Sequence, residues 1–202
     1  MIKRIIILVI AVTALILAWG LFAQEKVQSA SSHDAFFDNL AALCGQAFEG
    51  KVTVGGPADK VFSEQRLVMH VRKCASDTLY IPFHVGEDRS RTWIITRTGS
   101  GLQLKHDHRH SDGSPDISTM YGGHTTGAGW PNVQAFPADP YSQELFVRTG
   151  MPQSVDNTWH VYIYPGKTFS YRLTREGREL RVDFDLTKPV PPPPAPWGWE
   201  KD

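Results

Sequence analysis

From Trp159 to Leu186 the chain alternates apolar and polar residues through three consecutive segments, a pattern that suits strands and no helix. Trp159, Val161 and Ile163 are interleaved with His160 and Tyr162. Phe169, Tyr171 and Leu173 are interleaved with Ser170 and Arg172. Leu180, Val182, Phe184 and Leu186 are interleaved with Arg181, Asp183 and Asp185. Successive side chains of a strand point to opposite faces, so each segment has one apolar and one wet face. Pro165-Gly166 and Glu176-Gly177 supply the turns, and an antiparallel meander follows.

The same period governs Leu102 to His110. Leu102, Leu104, His106, His108 and His110 share one phase; Gln103, Lys105, Asp107 and Arg109 share the other. The leucines assign the first phase to the interior, which brings the three imidazoles inside or to the rim of an interior. The second phase is wholly polar and suits water. Gly99-Ser100-Gly101 joins this segment to Arg91–Thr98 as a hairpin, with Trp93 and Ile95 in one phase. Earlier strands are expected at Phe48–Val54, Arg66–Lys73 and Leu79–Val85. Pro82 marks the last as an edge or bulged strand. His33–Leu43 reads as a short helix with Asp34 as N-cap and Gly45 as its stop. Patterning is lost over Ser111–Pro140 and returns at Leu145–Val147. The expected fold is all-β: an antiparallel barrel with a short N-terminal helix, or alternatively a two-sheet sandwich.

The N-terminus reads as an export segment. Lys3 and Arg4 precede an almost wholly apolar run over residues 5–23. It is either a signal cleaved after Ala23 or a retained membrane anchor; both place the domain outside the cytoplasm, in the periplasm or beyond. Residues 24–32 are a polar spacer, 33–188 the barrel domain, and 189–202 a Pro-rich tail. Folding of Trp197 or Trp199 back onto the domain is the preferred role for that tail over recruiting a partner. Two cysteines, Cys44 and Cys74, in an exported chain imply one disulfide. In the chain-entropy model it contributes roughly 3 kcal/mol. The formal net charge is zero and basic residues are interleaved with acids, which excludes a nucleic-acid partner. A membrane is met only through the N-terminal segment, if that is uncleaved.

The segments Arg91-Thr92-Trp93, Leu104-Lys105-His106-Asp107-His108-Arg109-His110, Asp112-Gly113-Ser114-Pro115-Asp116, Tyr121-Gly122-Gly123 and Phe136-Pro137-Ala138-Asp139 resemble a family of secreted bacterial proteins with no assigned function. The resemblance spans most of the mature domain and implies export, but carries no activity. In outline, a helix followed by a meander is similar to the calycin barrels, such as lipocalins and fatty-acid-binding proteins. The lipocalin Gly-x-Trp is absent, since Gly45 is followed by Gln46 and Ala47.

The histidines admit three uses. They can line a ligand site, together with Tyr121 and His124. They can hold a metal, zinc or copper by ligand type, using His106, His108, His110, His124 and Asp112. They can also be structural, hydrogen-bonded to their surroundings. His106 and His110 lie about 13 Å apart on an extended strand, too far to share one ion without a bulge. His70, His84 and Asp116 are further suppliers. Asp112-Gly113 reads as an Asx-type turn rather than a calcium loop. No Gly-x-Ser-x-Gly elbow accompanies Ser111, and no catalytic residue is assigned. Arg89, Arg91 and Arg97 around Trp93, with Asp107 and Arg109 opposite, read as cross-strand ion pairs on a solvated face. The expectation is an exported small-molecule-binding barrel whose mouth is covered by the irregular stretch Ser111–Trp130. The alternatives are a metal-dependent enzyme using the same histidines and an envelope interaction module acting through the outer face and tail.

Overall fold

A computed structural model describes residues 31–200 of the chain. The expected signal or anchor and most of the spacer lie outside the described residues. Among the described residues no helix is long and apolar enough to cross a membrane.

Helix α1 (Ser32–Ala41) is followed by β1 (Ala47–Val54), a short helical turn at Pro57–Asp59 and α2 (Lys60–Ser63). Next come β2 (Leu67–His70), β3 (Lys73–Cys74), β4 (Thr78–Val85), β5 (Asp88–Thr98) and β6 (Gly101–His108). Then follow β7 (Tyr121–His124), β8 (Val133–Pro137), α3 (Pro140–Arg148), β9 (Thr158–Tyr164), β10 (Thr168–Arg175) and β11 (Arg178–Val190). The strands form one antiparallel, nearly closed barrel in the order β7-β6-β5-β4-β2-β1-β11-β10-β9-β8, with β3 attached to β4. The inward phases meet in a single core, as the alternation requires.

Several boundaries differ from expectation. The N-cap of α1 is Ser31, whose hydroxyl accepts the Asp34 amide, so the helix starts inside the expected spacer. Phe36, Phe37 and Leu40 plug one end of the barrel at 0–2% exposure. The Arg97 guanidinium lies over the Phe37 ring and pairs with Asp34 and Asp38. Pro82 lies on a bulged strand rather than an edge: β4 has β5 on one side and β2 with β3 on the other, and its register with β5 shifts between Phe83 and Val85. The missing N–H of Pro82 falls in the gap between the β2–β4 pairing, which stops at Met69–Phe83, and the β3–β4 pairing, which starts at Tyr80. There Val71 pairs instead with Gly45 and Gln46. The Cys44–Cys74 disulfide ties the same corner together. Leu145–Val147 belongs to α3, capped by Asp139 with Pro140 at its first position. Within Ser111–Trp130, Tyr121–His124 is barrel wall, while Ser118 and Tyr121 line the cavity described below.

The tail covers the outer face of β4–β6. Strand β11 runs to Val190 and pairs with β1 there, so the barrel extends into the expected tail. Beyond it, Trp197 N–H donates to the Arg89 carbonyl and the Arg89 guanidinium donates to the Ala195 carbonyl. Trp199 packs on Tyr80 and donates from its indole to Asp107 Oδ2 at 3.1 Å. Asp107 also accepts from Arg109 and Thr119, and is 3% exposed. The Asp107 end of the polar phase of β6 is therefore not solvated. Arg89, Arg91 and Arg97 make none of the expected cross-strand pairs. His70 and His84 sit in the outward phase of β2 and β4, and both are buried.

The barrel closes at a narrow seam between β7 and β8. Gly123 bridges Ala138, and the Asp139 N–H donates to the Gly122 carbonyl at 3.0 Å. A Cβ on Gly123 would sit 1.7 Å from the Pro137 oxygen, and one on Gly122 would sit 1.9 Å from the Leu104 oxygen. Both glycines are required by backbone approach. Polar side chains lock the same seam. The Gly122 N–H donates to Ser142 Oγ at 2.7 Å, and the Ser142 proton lies between the Gly122 carbonyl and Asp139 Oδ1. Asp139 Oδ2 takes the Lys105 ammonium at 2.6 Å. We expect Gly123→Ala to lower the unfolding free energy by at least about 3 kcal/mol, while Asp139→Asn costs about 1–2 kcal/mol. Urea denaturation checks both. Near-wild-type stability of Gly123→Ala would show that the seam does not close as described.

Candidate functional site

At the end of the barrel opposite α1 the core is incomplete. A cavity of about 480 Å³ lies between β5, β6, β10 and β11, under the Pro57–Ser63 segment and the segment after α3. Its walls are aromatic. Trp93 is stacked between Phe83 at 4.8 Å and Tyr171 at 4.6 Å. His106 lies flat on Tyr121 at 4.4 Å and beside Trp159 at 5.0 Å.

Each strand places its contribution by parity. On β6 the interior phase runs Leu102, Leu104, His106, His108. On β5 it runs Ile95, Trp93, Arg91 in the same direction, and the register pairs Trp93 with His106 and Arg91 with His108. Tyr121 is aimed inward by an unusual backbone: Met120, just before it, has a positive φ of 64°, a strained conformation for a side chain of this kind.

His106 is 3% exposed and has both ring nitrogens occupied. Nδ1 faces the Tyr121 carbonyl at 3.1 Å, which can only accept, so Nδ1 carries the proton. Nε2 therefore accepts from the Tyr171 hydroxyl at 2.9 Å. Burial, with the neighbouring His108 adding to it, pushes the His106 pKa down to about 3. His108 is half-buried at the cavity, 3.1 Å from the Tyr121 hydroxyl through Nε2. Its pKa is lowered to about 4, by burial first and then by Arg91. Burial raises Tyr121 to about 12 and holds Tyr171 well above the usual tyrosine value. At neutral pH the histidine–tyrosine set is thus uncharged.

Of the expected site residues, the structure brings His106, His108 and Tyr121 together and separates the others from them. β6 ends at His108. His110 lies beyond it, exposed, with Nε2 3.7 Å from Asp116 Oδ2. His124 is on the outer face of β7 and accepts from the Gln103 side-chain amide at 2.8 Å. Asp112 makes the Asx-type turn, accepting from the Ser114 N–H and hydroxyl, with Gly113 at φ 85°. His70 and His84 are on the outer face, both buried. Among the described residues no three His, Cys, Asp or Glu side chains converge in a way that could hold a metal ion. The expected set of His106, His108, His110, His124 and Asp112 is therefore dispersed.

Three arginines reach the cavity against expectation: Arg91 is expected on a solvated face, and Arg175 and Arg178 carry no site expectation. Arg91, Arg175 and Arg178 all line the cavity. Each lies in the inward phase of its strand, beyond Trp93, Leu173 and Leu180 respectively, so the signal was parity. The prior that Arg belongs in water hid it.

Compared with family models, curated proteins and solved structures, the chain matches none. The fold and site define an antiparallel barrel with an aromatic internal cavity, open at the end away from its helical plug.

Buried neutral imidazoles link stability to pH. His106 and His84, the latter also lowered to about 4 by burial, resist protonation when folded and accept it near pH 6.5 when unfolded. A group whose folded pKa is depressed in this way gives full stability above 6.5 and loses it as pH falls toward the folded value. Between pH 7.5 and 5.5 each of these two imidazoles should cost about 1.4 kcal/mol, with His108 adding in the same direction. Urea midpoints across that range measure it, and a flat profile would falsify the buried neutral assignment.

Proposed function

We propose that the protein is an exported binding protein that holds a small, largely apolar molecule inside its barrel. The observation that carries this reading is the cavity. Its volume of about 480 Å³ falls in the range of small-molecule sites, roughly 300–1,000 Å³. Its walls are rings that offer large contact area with little rotamer freedom to lose. A few polar groups stand among them, including His108, Ser118 and Asn157, as orientation of a ligand requires. The saturated hydrogen bonds of His106 support a structural role for that imidazole, with His108 and Tyr121 nearer the ligand. Export is supported by the apolar N-terminal run and by the Cys44–Cys74 disulfide. The Pro-rich tail packs on its own barrel, which supports a covering role rather than recruitment of a partner.

The neutral fluorophore N-phenyl-1-naphthylamine tests the reading. It should bind the mature domain at one saturable site with enhanced emission. Ala58 is exposed at the cavity rim, so Ala58→Trp should leave the melting temperature nearly unchanged while weakening the probe at least fivefold by obstructing entry. Absence of saturable binding by this probe and by its 8-sulfonate analogue alike, or binding indifferent to Ala58→Trp, would remove the interior as the site.

A further inference from the structure

The inward phases of four strands end in a basic side chain at the same end of the barrel: Arg91 on β5, His108 on β6, Arg175 on β10 and Arg178 on β11. These four do not have equivalent surroundings. Arg178 is held by Asp59, with Nη1 and Nη2 donating to the two carboxylate oxygens at 2.9 and 2.5 Å. Asp59 is 1% exposed and accepts from the Gly56 N–H as well. Arg91 donates to Asp88 Oδ2 at 2.5 Å. His108 is neutral. Arg175 alone meets only neutral acceptors, Asn157 Oδ1 at 3.0 Å and Ser154 Oγ at 3.3 Å, both through Nη1. Among the described residues no carboxylate lies within ion-pair distance of it. Its Nε and Nη2 donors have no hydrogen-bond acceptor there. No Asp or Glu lines the cavity. Asp116, the acid nearest His108, is turned to Ser118 and His110.

Three guanidiniums matched by two carboxylates leave the cavity with one positive charge, located on Arg175. A half-buried cation against aromatic walls is poorly solvated, and a neutral ligand would leave it so. Burial, and then Arg178 nearby, lower the Arg175 pKa, the direction expected of a cation lacking its counter-ion. A guanidinium presents its donors as a planar fork suited to carboxylate, sulfonate or phosphate oxygens.

We propose that the cavity takes an organic anion: an apolar body against the Trp93–Tyr171 wall, with its singly charged head group bound by Arg175. This rests on the binding reading above and specifies the ligand class.

The test uses two probes with one ring system. 8-Anilinonaphthalene-1-sulfonate differs from N-phenyl-1-naphthylamine only in its sulfonate. We expect one equivalent of the sulfonate to bind the mature domain at least tenfold tighter than the neutral probe. Arg175→Met should lower that ratio below threefold, whatever it does to either affinity alone. Arg175→Lys should keep most of it. Should Arg175→Met fail to fold, displacement of the neutral probe from the wild-type protein decides instead. Octanoate should displace it at a concentration at least tenfold lower than 1-octanol does. A neutral probe that binds at one site with no sulfonate preference, or octanol matching octanoate, overturns the anion while leaving the binding reading intact. A preference that survives Arg175→Met overturns the assignment to Arg175. Failure of both probes to bind removes the binding reading itself.

Discussion

The barrel exists because two backbones can touch at Gly122 and Gly123. Among the described residues every other neighbouring pair of strands is joined by a ladder, whereas β7 and β8 meet through a single bridge, in which the Asp139 N–H donates to the Gly122 carbonyl. A side chain at either glycine would collide with a carbonyl. Without the contact the sheet would stay open and leave two edges with unpaired backbone groups. So short a ladder needs support from side chains. Asp139 supplies it by serving three partners at once: the α3 amide it caps, the Ser142 hydroxyl and the Lys105 ammonium. Ser142 then bonds both backbone groups of Gly122. The seam is thus closed by a helix start. That start also positions α3, whose Phe146 packs against Tyr121 and Trp159 at the cavity wall.

Closure makes the two ends of the barrel unequal. At one end α1 inserts Phe36, Phe37 and Leu40, and the interior is full. At the other the covering segments are short and the interior is a cavity. His106 marks the transition. An imidazole with 3% exposure is costly unless both nitrogens are bonded, and here a carbonyl and a phenol satisfy them. The same two bonds fix the tautomer and orient Tyr171, whose ring is the inner face of the aromatic wall. Structural and ligand-facing roles are therefore divided along one strand, with His106 inside the packing and His108 one step further out.

Much of this was legible in period-two alternation. The strands, their inward phases, the β5–β6 hairpin and the last meander all follow from it, because a strand face buried against a core tolerates little else. What escaped had specific causes. Asp139-Pro140 is an N-cap followed by Pro at the first helical position, a start signal hidden by the irregular stretch before it. β7 is Tyr-Gly-Gly-His, and two glycines required by close approach erase the hydrophobic pattern that would reveal a strand. The arginines lie in the inward phase, yet composition assigns Arg to solvent. His110 shares the phase of His106, but phase has meaning only while the strand lasts, and β6 stops at His108.

The same alternation explains why β6 is buried on both sides despite its charge. His106 and Asp107 are adjacent, face opposite ways, and are each 3% exposed. The inner residue is covered by the barrel core, the outer one by Trp199 and Arg109. The outer cover comes from the tail beyond β11, whose own end pairs with β1. Burying Asp107 is tolerable because an indole N–H, a guanidinium and a hydroxyl all donate to it. Those bonds lock the strand whose opposite face presents His106 and His108 to the interior. The cavity wall is consequently stiffened from outside by a segment that never touches it. A Pro-rich tail suits this role, since its extended backbone is preset and loses little conformational freedom on docking.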